Sequence, residues 1–187
     1  MKRQWSSFQI IIGGFAAVIL LGSFLLMLPI ATKNGKGASF IEAIFTATSA
    51  TCVTGLVVQD TASYWTGFGQ FVILLLIQIG GMGVVTVAAS LALLSGRKLS
   101  FFHRNLMQEG LSAPQVGGIV KLTGFVIKGT LLFEFCGALV MMPVFCEDYG
   151  RKGIWMAIFH SISAFCNAGF DLLGINAKYT SLISYAY

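Results

Sequence analysis

The sequence predicts an all-α membrane protein assembled from a repeated unit of long helix, half-length helix, glycine-ended loop and long helix. Three observations carry that expectation. Of 187 residues, 56% are hydrophobic and only 10% charged, with a mean hydropathy of +0.83, which excludes an ordinary soluble domain. Long runs carry no charge at all. A sixteen-residue motif then recurs at a fixed distance along the chain.

The first element is the run 8–30, which holds 23 residues without a charge. A bilayer core of about 30 Å needs about 20 apolar residues as a helix, so this run spans it. Lys2 and Arg3 give it a basic start, as in a secretory signal. The run exceeds a signal's apolar region, however, and "LPIATKNGKG" offers no small-residue cleavage site, so a retained helix is expected.

The second element, 40–50, is too short to cross: about 11 residues rise roughly 16 Å as a helix. Ser39 with Glu42 three residues on forms a capping box, which favours a helix beginning at Phe40. The loop 51–55 follows, reading Thr51, Cys52, Val53, Thr54, Gly55. Its β-branched residues favour an extended backbone, and Gly55 permits dihedrals closed to other residues. A third element, 68–95, lies within a stretch from Thr61 to Gly96 that carries no charge. Gly80, Gly81 and Gly83 inside it read as sites of close helix packing rather than a gating bend.

The segment 97–118 holds Arg97, Lys98, His103, Arg104 and Glu109 around "LSFFHRNLMQEGLS", which fits an interfacial helix with His103 at headgroup level. A further span covers 119–145 and contains Lys121, Lys128 and Glu134. Lys121 is placed to snorkel, whereas Glu134 falls near mid-membrane and needs a partner on another helix. The second half-length helix covers 154–165, without a capping box because Met156 stands where Glu42 stood. Its loop, 166–169, reads Cys166, Asn167, Ala168, Gly169.

The two copies are "FIEAIFTATSATCVTG" (40–55) and "IWMAIFHSISAFCNAG" (154–169), offset by 114, with seven of sixteen positions identical. Among the matches are Ser49 with Ser163, Cys52 with Cys166 and Gly55 with Gly169. Nonhelical backbone at membrane depth is tolerated where it is enclosed by protein or lines a watery path. Such a loop can exchange its carbonyl oxygens for the water around a cation, helped by the partial negative charge at the helix C-terminus ahead of it.

Other classes of function are disfavoured. The net charge of +5 is scattered over loops with no basic stripe, so no nucleic-acid partner is expected. Cys52, Cys136, Cys146 and Cys166 lack metal-ligand or disulfide spacing and read as small buried apolar side chains. No nucleophile, base and acid set appears, so an enzyme is not expected. Basic residues divide five against five between the two sides of the membrane, so charge leaves the orientation open.

"TSATCVTGL", "QIGGMG" (78–83) and "SISAFCNAGFDLLG" (161–174) together resemble the Trk/Ktr/HKT potassium transporter superfamily, on the side of its bacterial KtrB branch. The resemblance covers essentially the whole chain. It implies M1-P-M2 repeats with re-entrant pore helices: residues 1–96 as a first repeat, 97–118 as a cytoplasmic linker and 119–187 as a second repeat that stops at the start of its M2. It implies potassium uptake through a filter lined by backbone of 51–55 and 166–169, with K+ as the transported ion and no covalent cofactor. Glycine at both filter positions, where serine accompanies sodium permeability in plant relatives, implies a preference for potassium. It further implies a multi-pass plasma-membrane protein with a cytoplasmic N-terminus. The complete subunit is implied to form a homodimer on a cytoplasmic nucleotide-binding regulatory subunit of the KtrA or TrkA kind. Full members have four repeats, so two of four filter loops are absent and a truncated or partial chain is expected. The alternative function is a non-conducting half-transporter that assembles with or regulates full-length subunits.

Overall fold

The computed structural model describes residues 7–83, 86–87, 108, 119–175 and 178–181. The interfacial helix expected around His103 and the start of a last helix beyond 181 fall outside them. Among the described residues every regular element is helical, and the one isolated antiparallel bridge joins Thr32 and Trp65. The helices are α1 (Ser7–Leu26), α2 (Phe40–Thr51), α3 (Thr61–Tyr64), α4 (Gly67–Met82), α5 (Ile119–Tyr149) and α6 (Lys152–Phe165), with a 3-10 turn at Pro29–Ala31.

Helices α1 and α5 are long and apolar enough to cross a bilayer, and most of their spanning windows lie open on the outside of the bundle. Leu21, Phe24, Phe125, Phe133 and Val140 are all more than half exposed. A soluble protein does not present such a surface, whereas hydrocarbon solvates it without cost. Helix α1 ends before Pro29, whose ring cannot continue the hydrogen-bond ladder. Helix α5 runs to Tyr149, past the expected end at 145, and carries Pro143 inside. Helix α4 ends at Met82 with Gly83 as its cap at φ +82; of the expected 68–95, residues 84–85 and 88–95 lie outside the described residues.

Helix α2 starts where its capping box places it. The Ser39 hydroxyl accepts from the Glu42 N–H, and the Glu42 carboxylate accepts from the Ser39 N–H at 3.0 Å. A cap of this kind contributes about 1 kcal/mol to a helix. The Glu42 carboxylate also accepts from Gln59 at 2.6 Å. The Ser39 N–H first, and Gln59 second, hold this carboxyl below the usual carboxylate range. Helix α6 has no such box: Arg151 precedes it with no side-chain cap, and its start follows a tight turn at Gly150.

Small residues let the helices close on one another. Gly22 of α1 lies so near Leu76 of α4 that a Cβ would stand 2.7 Å from its methyl carbons. Trp65, fully buried, fills the space between the α3–α4 corner and the rest of the core. Gln70 of α4 accepts the Trp155 indole N–H at 2.9 Å, tying α4 to α6.

Candidate functional site

Both half-length helices end in the same way. After α2 the Val53 N–H bonds to the Ala50 carbonyl at 3.3 Å and the Thr54 N–H to the Ser49 carbonyl at 3.0 Å. After α6 the Asn167 N–H bonds to Ala164 at 3.0 Å and the Ala168 N–H to Ser163 at 2.7 Å. Each pair forms a Schellman motif, in which a left-handed residue turns the chain back over its own helix end. Every donor and acceptor in one motif is displaced by 114 positions from its counterpart in the other.

The dihedrals repeat as well. Val53 and Asn167 have φ of 57 and 56, and Gly55 and Gly169 have φ of 72 and 71. Asparagine accepts the left-handed region readily, but a β-branched valine there is an outlier that costs roughly 1–3 kcal/mol. The extended backbone expected over Thr51, Val53 and Thr54 is therefore corrected. Thr51 is the last residue of α2, Cys52 caps it at φ −87 and ψ 0, and Val53 reverses the chain. The helix-end hydrogen bonds outweigh the β-branched preference.

This geometry leaves a row of backbone acceptors without donors. Among the described residues no N–H or side chain bonds to the carbonyl oxygens of Cys52, Val53, Thr54 or Gly55, nor to those of Cys166, Asn167, Ala168 or Gly169. Of these eight residues only Ala168 is buried, and the others are exposed or half-buried. The two rows also meet. A Cβ on Gly55 would stand 2.8 Å from the Ala168 oxygen and 3.3 Å from the Gly169 Cα, and one on Gly169 would stand 3.3 Å from the Gly55 Cα. The loops thus touch glycine to glycine, at the negative ends of two helix dipoles.

Helix α4 supports both loops from one side, and "QIGGMG" supplies the contacts. A Cβ on Gly80 would overlap the Thr51 carbonyl oxygen, and one on Gly81 would lie 2.5 Å from the Cys166 sulfur. Only hydrogen at these positions lets α4 reach both loops, which makes the glycines packing sites. Gln78 reaches the third helix, donating from Nε2 to the Glu134 carboxylate of α5 at 2.8 Å. Glu134, 5% exposed, thereby finds its partner on another helix, while Lys121 and Lys128 face outward. Its own carbonyl accepts the Ser161 hydroxyl of α6 at 2.6 Å.

The cysteines depart from expectation. Cys52 and Cys136 are exposed, Cys146 and Cys166 half-buried, and all four are free thiols. Cys136 shares the outer face of α5 with Phe133 and Phe135, where an apolar thiol suits lipid as well as it suits a core.

Asp60 stands on the exit of the first loop, and no motif in the sequence singles it out. Its carboxylate accepts the Ser63 N–H at 2.7 Å and the Tyr179 N–H, 119 residues away, at 2.9 Å. Burial would raise its pKa, but the N–H donors of Tyr179 and Ser63 outweigh burial and hold it below the usual range. His160 was likewise missed, although it stands inside the repeated motif.

Residues 3–185 match the profile of the TrkH family, described as a cation transport protein. The chain is 42% identical over 175 residues to the potassium/sodium uptake protein NtpJ of Enterococcus hirae, covering 93% of this chain and 39% of that protein. It is 43% identical over 173 residues to the Ktr system potassium uptake protein B of Bacillus subtilis, covering 90% of this chain and 38% of the other. With the Vibrio alginolyticus Ktr system potassium uptake protein B the identity is 37% over 172 residues, covering 91% of this chain and 37% of the other. The chain spans less than two-fifths of the length of these relatives. Its lipid-facing helices, its paired loops and this family match agree: the chain is a membrane protein and belongs to the TrkH family of cation transport proteins.

Proposed function

We propose that the chain forms part of a potassium-uptake pore in which the carbonyl oxygens of Cys52 to Gly55 and Cys166 to Gly169 line a cation path, while the Thr51 carbonyl packs on Gly80 of α4. One observation carries this reading: two loops of identical backbone hydrogen-bond pattern meet at Gly55 and Gly169, their carbonyls taken by no protein donor among the described residues. Carbonyl oxygens not engaged by protein donors can replace the water around a cation, and K+ needs no cofactor beside it. In this reading α1 and α5 are the M1 helices, α2 and α6 are re-entrant pore helices, and α4 is the first M2. The loops open to the outside, the N-terminus is cytoplasmic, and the membrane is the cell membrane. The names of the relatives support potassium as the ion. A filter must surround its ion, so two further loops complete it in the full-length subunit. A homodimer on a nucleotide-binding regulatory subunit remains part of the proposal through resemblance.

Expression of the full-length subunit in bacteria that lack potassium uptake tests the reading. Growth at low external potassium is the expected result. Membrane-inserted protein that leaves both growth and tracer uptake at background would contradict it.

A further inference from the structure

His160 lies on α6 at 7% exposure, stacked on Phe145 with ring centroids 4.9 Å apart. Its two nitrogens face opposite partners. The Met156 carbonyl at 2.7 Å can only accept, so Nδ1 carries the proton and donates. The Leu172 N–H at 3.2 Å can only donate, so Nε2 accepts. The ring is thereby a neutral imidazole of fixed tautomer, with no capacity left over.

Leu172 belongs to the segment by which the chain leaves the second loop. A second tie holds the same segment, since the Ser163 hydroxyl donates to the Phe170 carbonyl at 2.6 Å. The first copy has neither tie. Thr46 stands where His160 stands, and the residues matching Phe170 and Leu172 are Leu56 and Val58, 61% and 43% exposed. There the Ser49 hydroxyl instead pairs with the Thr54 hydroxyl at 2.9 Å. The exit of the second loop is bound to its own helix at Phe170 and Leu172, whereas the exit of the first is bound to α2 only farther out, where Gln59 donates to Glu42 at 2.6 Å.

We propose that His160 is a positioning residue for the second loop: by accepting the Leu172 N–H at Nε2, it fixes the path beyond Gly169 and with it the direction of the Cys166 to Gly169 carbonyls. The role rests on the cation-path reading of those carbonyls.

Three variants of the full-length subunit separate this role from simple space-filling, with uptake of potassium and sodium tracers and the amount of membrane-inserted protein as readouts. His160→Gln places an amide oxygen near the Nε2 position, His160→Asn keeps a polar group only near Nδ1, and His160→Leu keeps neither. A buried N–H left without an acceptor is expected to lower the potassium-to-sodium uptake ratio about tenfold in the Asn and Leu variants. His160→Gln is expected to rescue the ratio to within about twofold of the parent. Loss of inserted protein in the Asn but not the Gln variant also supports the proposal. Equal behaviour of Asn and Gln, including loss of inserted protein in both, would overturn it. So would parental ratios in all three while Gly169→Ser lowers the ratio. Parental ratios in Gly169→Ser and Gly55→Ser as well would instead bring down the cation-path reading itself.

Discussion

Gly55→Ser in the full-length subunit is expected to lower the potassium-to-sodium uptake ratio by on the order of tenfold or more, and Gly169→Ser by less. Both positions have φ near +70, where a side chain costs roughly 1–3 kcal/mol. Their surroundings differ. A Cβ at Gly55 lies 2.8 Å from the Ala168 carbonyl oxygen, closer than real Cβ atoms come, and that oxygen is itself one of the unpaired acceptors. A Cβ at Gly169 meets only the Gly55 Cα, at 3.3 Å, a contact relieved by a few tenths of an ångström. The first substitution therefore displaces a carbonyl of the opposite loop, whereas the second mainly strains its own. Tracer uptake of both ions at matched amounts of inserted protein reads the order of the two effects. An equal ratio in parent and both variants would refute the assignment of the loops.

Gly80→Ala is expected to destabilise the protein despite alanine being the better helix former. Propensity favours alanine by about 1 kcal/mol in a helix interior. Against this, the new methyl would overlap the Thr51 carbonyl oxygen and lie 2.8 Å from its carbon. Those atoms are the fixed backbone end of α2, so α4 must move away. Overpacking of this kind costs roughly 1–3 kcal/mol, which outweighs the propensity gain. Moving α4 also removes the support of the first loop, so a lower uptake ratio should accompany the lower stability. Gly13→Ala is the matched control, because no atom lies within 4 Å of its Cβ. Thermal unfolding of the detergent-purified subunit checks both: a clearly lower midpoint for Gly80→Ala, with Gly13→Ala at or above the parent. Parental stability and uptake in Gly80→Ala would show that α4 does not pack as described.

Much of this arrangement was legible because local chemistry and repetition pointed the same way. Ser39 and Glu42 announced the start of α2 through a cap that needs no tertiary partner. The offset of 114 announced that whatever happens at Gly55 happens again at Gly169, and the two φ values agree within a degree. What failed was inference from the propensity of single residues. Val53 suggested extended chain, yet hydrogen bonds to the carbonyls of Ala50 and Ser49 place it in the left-handed region. The four cysteines suggested burial, but Cys136 lies on the outer side of a lipid-facing helix, where the surroundings are as apolar as a core, and Cys52 and Cys166 cap the two half-length helices. His160 gave no signal because its role depends on Leu172, twelve residues on, folding back over α6. The contact between Gly55 and Ala168 is of the same kind, since periodicity does not reveal which loop faces which.

In the proposed pore the carbonyls of the two loops jointly coordinate a monovalent cation. Anomalous diffraction from crystals of the full-length subunit grown with rubidium or thallium in place of potassium tests it most directly. An anomalous peak is expected beside the contact of Gly55 with Gly169, within reach of carbonyl oxygens from both loops. Well-ordered loops with no peak beside them, and ions bound elsewhere in the bundle, would contradict joint coordination.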